Sequence, residues 1–352
     1  MLAFWSPPAF RTGPRSERRG DTALTRPKLA RWSTFDIVEA FQLGHALAAL
    51  HELTVMGSLR RPTTTTALAR KHGLDAPLLR GVLEYVAART ELVRKLGDRF
   101  VATPRYSVSA RFLLDLYAGA YGRCAAQLPR LMRNAALAPG SVDGDRFARA
   151  FDAAGASALS AVTMIVRQLQ LRNILDLGCG TATLLIGLAK LDPSFVGWGL
   201  EINPMAYNLA RKRIRAARIG HRVRVLQGDC TQLRAVLPAE VAAEIRTVTA
   251  GDVANAMFAD GRARVVTWLR GLKDVLPGRL LLISDYYGRL GRRSLRVDRE
   301  TLLQDFVQVI SGQGVPPASI KEWRTIYEQA HCRLVHVMED EATTRFIHLL
   351  KL

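Results

Sequence analysis

The chain has 352 residues, 49% of them hydrophobic, which is enough for two domains with cores of their own. No apolar run reaches the roughly 18 residues of a membrane span, and Pro and Arg follow the brief apolar start at Met1–Trp5 where a signal-peptide core would continue. The formal charge of +19 is mostly arginine spread along the chain, with no Lys/Arg block interleaved with aromatics, so it reads as a solvated surface rather than a nucleic-acid footprint.

Residues 1–32 read as a basic, disordered tail: Pro7, Pro8, Pro14 and Pro27 interrupt regular structure, and also spoil an amphipathic targeting helix. From Thr34 to Leu59 the pattern is helical, with Leu43, Ala46, Leu47, Leu50 and Leu53 on one face. Ile37 and Phe41 lie beside that stripe, placed to meet a second partner. Arg61-Pro62 is the expected stop. A short helix over Thr63–His72 ends at Gly73, and Asp75 caps a third helix with Leu78, Leu79, Val82, Leu83 and Val86 inward. Glu91–Thr103 reads as a hairpin turning at Gly97-Asp98. Three helices and a hairpin make a winged-helix arrangement over residues 33–140. Its third helix is largely apolar, with only Arg80 and Arg89 basic, so it suits packing better than phosphate contact. Helices continue over Tyr106–Asn134. A boundary is expected near Ala138–Ser141, and another helix runs from Phe147 to Leu169 into residues 141–352.

There the pattern changes to strand–helix alternation, the signature of a parallel α/β sheet. Asn173–Leu185 reads as a buried strand, a glycine turn at Gly178 and Gly180, and a helix capped by Thr181. A second strand over Phe195–Glu201 ends in a carboxylate 21 residues after Gly180, placed to accept ribose hydroxyls. A third over Val223–Gln227 leads to Asp229, placed for an adenine amino group. Further strands are expected at Arg246–Gly251 and Arg279–Ser284, with a helix over Ala259–Val275 between them. Helices over Val297–Ile310 and Ser319–Ala330 follow, the second with a capping box from Ser319 and Glu322. A closing strand pair at Cys332–Met338 and Thr344–Leu350 completes the chain.

The three segments Leu175-Asp-Leu-Gly-Cys-Gly-Thr181, Gly199-Leu-Glu201 and Gln227-Gly-Asp229 together resemble the class I S-adenosylmethionine-dependent methyltransferases. With the N-terminal region included, the chain is similar to the dimeric small-molecule O-methyltransferase type. The resemblance implies a doubly wound, Rossmann-like, seven-stranded α/β sheet beside an all-α, winged-helix dimerisation domain. It implies S-adenosylmethionine as cofactor and S-adenosylhomocysteine as product, without a metal. Asp176, Gly178 and Gly180 would lie along the methionine part, Glu201 and Ile202 at the ribose, and Asp229 with Cys230 beside the adenine. A dinucleotide dehydrogenase is the competing reading, but the position three after Gly180 is Thr183 where G-x-G-x-x-G would continue.

In the family type a histidine after the fourth strand deprotonates a hydroxyl. Here that position falls on Asn255 or Ala256, neither of which accepts a proton at neutral pH. The departure favours a sulfur, nitrogen or activated-carbon acceptor at least as much as a hydroxyl. Asn255, Asp252, Tyr286 and Tyr287 are the candidates for positioning the acceptor, and His45, His51 and His331 read as surface or packing residues. Cys124, Cys179, Cys230 and Cys332 form no C-x-x-C pair, which fits a reducing cytoplasm and no zinc site. The expected partners are a small-molecule acceptor and a second copy of the chain, with no membrane. The alternatives are a DNA-binding regulator whose methyltransferase-like half senses a ligand, and an RNA or protein methyltransferase.

Overall fold

The computed structural model describes residues 32–158, 160–292, 299–340 and 343–352, together with the side chains of most of them. The expected tail over residues 1–32 lies outside the described residues except for Trp32.

The first helix runs from Thr34 to Glu52, opened by a capping box between Ser33 and Asp36. It stops earlier than Arg61-Pro62. Thr54 takes a left-handed conformation (φ 58°), and a short helix follows over Val55–Ser58. The break is a packing effect: it re-aims Val55, Met56 and Leu59 into the N-terminal core and leaves Leu53 on the surface. Strand β1 (Thr63–Thr64) precedes a helix over Thr65–His72, which ends at Gly73 in the left-handed conformation (φ 65°). Asp75 caps the helix Ala76–Arg89 by accepting from the Leu78 amide at 2.8 Å. Leu79, Leu83 and Val86 of that helix are buried, whereas Leu78, expected inward, is exposed on the first turn. Strands β2 (Val93–Leu96) and β3 (Arg99–Ala102) form the hairpin, with Leu96 opposite Arg99, and β1 completes the sheet in the order β1-β3-β2.

The expected helices beyond Tyr106 contain one irregularity. Residues Val108–Leu113 are α-helical, Leu114–Ala120 form a π-helical stretch, and short helices over Gly122–Ala126 and Leu128–Arg133 follow. Helices Gly144–Ala158 and Ser160–Gln168 then lead to the large sheet.

That sheet has seven strands in the order β6-β5-β4-β7-β8-β10-β9. Strands β4 (Ile174–Leu177), β5 (Gly197–Glu201), β6 (Val223–Gln227), β7 (Thr247–Gly251) and β8 (Leu280–Tyr286) run parallel. β10 (Arg345–Lys351) lies antiparallel between β8 and β9 (Arg333–Glu339). Every residue of β4 and β5 is buried, as expected of parallel strands covered on both faces. The strand order reverses between β4 and β7, so a crevice opens at their carboxyl ends. The helix Arg262–Val275 buries Val265, Val266, Leu269 and Leu272, as its spacing predicts. Ser319 caps the helix Ile320–Gln329 through the Glu322 amide. The Glu322 carboxylate, expected to close a capping box, instead pairs with Arg262 and Arg292.

Under the antiparallel edge lies an aromatic cluster of Phe258, Tyr287, Trp323, Tyr327 and Phe346. Side chains buried to this degree contribute roughly 1.5–3 kcal/mol each. His348 is fully buried among them: Nδ1 meets the Tyr327 hydroxyl at 2.7 Å, Nε2 meets the Tyr287 hydroxyl at 3.1 Å, and its ring stacks on Phe346 at 3.8 Å. Burial holds the ring neutral, with its pKa lowered to about 3. In the unfolded chain it takes up a proton as the pH falls below about 6.5, so the folded state loses relative stability on acidification. Relative to His348→Phe, the native protein should lose about 1.4 kcal/mol of stability per pH unit between about pH 6 and pH 4, measured by urea unfolding. A pH-independent difference would show that the ring is protonated in the fold.

Candidate functional site

The glycine turn after β4 is built from backbone conformations that favour glycine: Gly178 and Gly180 have φ of 63° and 56°. A Cβ on Gly178 would also approach Val253 to 2.8 Å. Thr181, expected as a helix cap, does not cap the helix Thr183–Leu191. Ala182 occupies that position with φ 59° and makes no side-chain cap. The Thr181 hydroxyl instead joins a cluster with Asp152 (2.9 Å), Thr183 (3.1 Å) and Arg213 (2.5 Å), which ties the turn to the helices Gly144–Ala158 and Pro204–Ala216.

Glu201 ends β5, and its carboxylate accepts the Gly180 amide at 2.8 Å and the Asn203 amide at 2.8 Å. Burial raises its pKa, and these backbone N–H groups oppose the rise. Asn203 in turn caps the next helix through the amides of Met205 and Ala206. On β4, Asp176 is buried and accepts from the Thr249 hydroxyl at 2.7 Å; burial raises its pKa to about 7 despite that bond. At the end of β7, Asp252 stands in the left-handed region (φ 51°), a strained conformation for a non-glycine residue. Its carboxylate pairs with Arg345 of β10 at 2.5 Å.

Two adjoining cavities occupy this edge. The larger, about 290 Å³, is lined by Asp176, Gly178, Gly180, Glu201 and Asp252 together with Val162 and Leu184. The smaller, about 70 Å³, is lined by Tyr117, Tyr121, Asn255, Gln304, Gln308 and Gln313. Phe112, Phe147, Phe151, Asp252 and Arg345 line both, so the cavities share a wall. Asn255 is held from two sides: its amide donates to Asp285 at 2.9 Å, and its side-chain oxygen accepts from Gln308 at 3.2 Å. Asp285 is fully buried, and burial together with the charge of Asp252 raises its pKa.

The sequence-predicted residues divide accordingly. Asp176, Gly178, Gly180, Glu201, Asp252 and Asn255 converge on the cavities. Ile202, Asp229 and Cys230 stand beyond the ends of β5 and β6 on the same sheet edge, but outside both linings; Ile202 is exposed, and Asp229 accepts from the Thr231 amide. Tyr286 and Tyr287 were expected at the acceptor, and neither is among the lining residues. Tyr286 is buried beside Asp305, and the Tyr287 hydroxyl bonds to Glu339 at 2.7 Å within the aromatic core. β8 extends two residues past the expected end, so Tyr286 lies within the strand and Tyr287 directly follows it. His331 is exposed, His45 packs edge-on against Phe41, and His51 lies between Tyr106 and Asp115. Among the described residues no cluster of three or more His, Cys, Asp or Glu is placed to hold a metal, and no helix is long and apolar enough to cross a membrane.

Sequence reasoning missed Arg345, Asp285 and the two glutamines Gln304 and Gln308. The glutamines carried a weak signal, one helical turn apart on Arg299–Ile310; Arg345 carried none, since an arginine at a strand start is ordinary.

Comparison with known proteins gives one family match and several structures of the same fold. Residues 174–240 match the family model described as a methyltransferase domain. The mitomycin 7-O-methyltransferase MmcR superposes with a TM-score of 0.68 at 20% identity, over 90% of this chain and 96% of that one. PigF, solved with S-adenosylhomocysteine, gives 0.70 at 18% identity over 91% and 100%. RosA from Streptomyces davawensis, an N,N-8-amino-8-demethyl-D-riboflavin dimethyltransferase, gives 0.56 at 20% over 90% and 97%. Residues 174–240 thus match a methyltransferase domain, and the whole chain shares with these structures the fold of a doubly wound sheet with a helical N-terminal region.

Proposed function

We propose that this protein transfers a methyl group from S-adenosylmethionine to a small-molecule acceptor of specialised metabolism. The larger cavity fits that cofactor: a glycine turn admits it closely, Glu201 stands where ribose hydroxyls would be received, and the carboxylates of Asp176, Glu201 and Asp252 suit a cation. When bound, the cofactor supplies a sulfonium methyl group that needs an aligned nucleophile rather than an activating residue. The observation that supports the reading best is the wall shared by the two cavities, which would bring donor and acceptor together and keep water out. Asp229 and Cys230 remain candidates for the adenine side.

At the position where a base would stand, Asn255 is fixed by Asp285 and Gln308 and can only position. The acceptor therefore arrives ready to react: a sulfur, nitrogen or carbon nucleophile, or an oxygen already ionised. A DNA-binding role has less support, because Arg89 and Lys95 of the winged-helix region pair with Glu39 and Glu84.

Calorimetry on the purified chain should show binding of S-adenosylmethionine and S-adenosylhomocysteine, with Glu201→Ala weakening both by about tenfold or more, a loss expected for a buried charge-assisted contact. Absence of binding by either ligand would refute the reading.

We further propose a homodimer through the first helix, which leaves Phe35, Ile37, Val38 and Phe41 exposed along one stretch. Sedimentation should report a dimer, and Phe35→Arg with Phe41→Arg a monomer; a monomeric native protein contradicts this assembly.

A further inference from the structure

We infer that Arg345 selects an anionic acceptor: a flat, conjugated acid whose ionised oxygen lies against the guanidinium and whose neighbouring N–H or O–H reaches Gln308. This rests on reading the larger cavity as the cofactor site.

Arg345 is the cationic side chain of the wall common to both cavities. Its Nη1 bonds to Asp252, and a guanidinium carries five donors, so this pair does not exhaust it. Besides the Asp252 carboxylate, Leu116 and Ala256, the remaining surfaces of the smaller cavity are aromatic and amide. Phe112, Phe147 and Phe151 offer flat faces, with Phe147 and Phe151 packed at 4.7 Å and Phe112 and Phe151 edge-to-face at 5.5 Å. Such walls suit a planar ring system. Gln308 is 2% exposed, and its side-chain oxygen has no hydrogen-bond partner among the described residues, although its nitrogen donates to Asn255. A buried acceptor left unmade is costly, and a donor on the bound molecule would satisfy it.

The charge of the wall also separates the acceptor classes that the absent base leaves open. Methylation of a tertiary amine or thioether creates a new cation in the smaller cavity, beside a guanidinium whose charge the paired Asp252 carboxylate offsets only in part. An anionic oxygen reverses this. Its lone pair forms the new carbon–oxygen bond, the electron pair of the breaking carbon–sulfur bond goes to sulfur, and the anionic and sulfonium charges cancel. No proton moves, so no base is required, in agreement with Asn255 at that position. Asp285, behind Asn255, is held toward its neutral form by burial and therefore opposes such an anion less than its formal charge implies.

The test uses three probes on one ring skeleton with the full chain and saturating S-adenosylhomocysteine: 2-hydroxy-1,4-naphthoquinone, anionic at neutral pH, and the neutral 1-naphthol and 1-aminonaphthalene. The anion should bind about ten- to a hundredfold more tightly than either neutral probe, the range of a charge-assisted hydrogen bond. With S-adenosylmethionine the anion should also be methylated at oxygen. Arg345→Met should reduce the preference to within about threefold, and Arg345→Lys, which keeps the charge, should retain most of it. Because Arg345→Met strands Asp252, the pair-removing variant Arg345→Met/Asp252→Asn is measured alongside and should lose the preference equally. Equal binding of the three probes, or a preference that survives in the double variant, would overturn the inference while leaving the cofactor reading intact. Failure of S-adenosylhomocysteine itself to bind would remove both.

Discussion

One carboxylate organises the sheet edge on which everything else depends. Glu201 accepts the amide of Gly180 on one side and that of Asn203 on the other, so a single side chain fixes both the glycine turn after β4 and the entry to the helix after β5. It does so at the cost of burial, which disfavours its charge, and the two N–H groups offset part of that cost. The turn in turn holds Thr181 against Asp152 and Arg213, which docks the helix Gly144–Ala158 over the crevice and brings Phe147 and Phe151 to the wall between the cavities. The two cavities, proposed for the methyl donor and the acceptor, are thereby coupled through a few short hydrogen bonds.

The polarity of the two compartments follows from where the strands end. β4, β5 and β7 each deliver a carboxylate to the larger cavity, a setting suited to a cation. The smaller cavity receives Asp252 and Asn255 from the segment after β7, and its other side chains from elements outside the parallel sheet core, among them the π-helical Leu114–Ala120, the helix Arg299–Ile310 and the antiparallel β10. The π-helical stretch matters here because it turns Leu116 and Tyr117 toward the same space that Gln304 and Gln308 reach from the other side, and the Tyr117 hydroxyl bonds to Gln304 at 3.0 Å. Both cavities are thus composites, but the glycine turn and Glu201 of the larger one come from neighbouring units of the chain, whereas the glutamines of the smaller one are far in sequence from Tyr117 and Asn255.

This difference explains what could be read from the residues. The strand at Ile174–Leu177, the two glycines and Glu201 belong to a local pattern in which spacing dictates geometry, so this strand, its glycine turn and the carboxylate ending β5 were legible, as were the N-terminal hairpin and the closing strand pair. The early break at Thr54, the exposure of Leu78 and the failure of Thr181 to cap were not, since each is decided by tertiary packing or by partners far along the chain. Tyr286 and Tyr287 illustrate the same limit: Tyr286 ends the longer strand buried beside Asp305, and Tyr287 packs into the aromatic core, both outside the cavity linings. Arg345 was invisible because nothing local distinguishes it until β10 is laid beside β8 opposite Tyr286.

The central claim is that the cavity beneath Gly178, Gly180 and Glu201 receives the adenosyl cofactor and opens onto the wall of Asp252 and Arg345. A crystal structure with S-adenosylhomocysteine tests it most directly. Ligand density with the ribose at Glu201 and the sulfur end toward Asp252 is the expected result; density elsewhere on the molecule, with this cavity filled only by solvent, would contradict it.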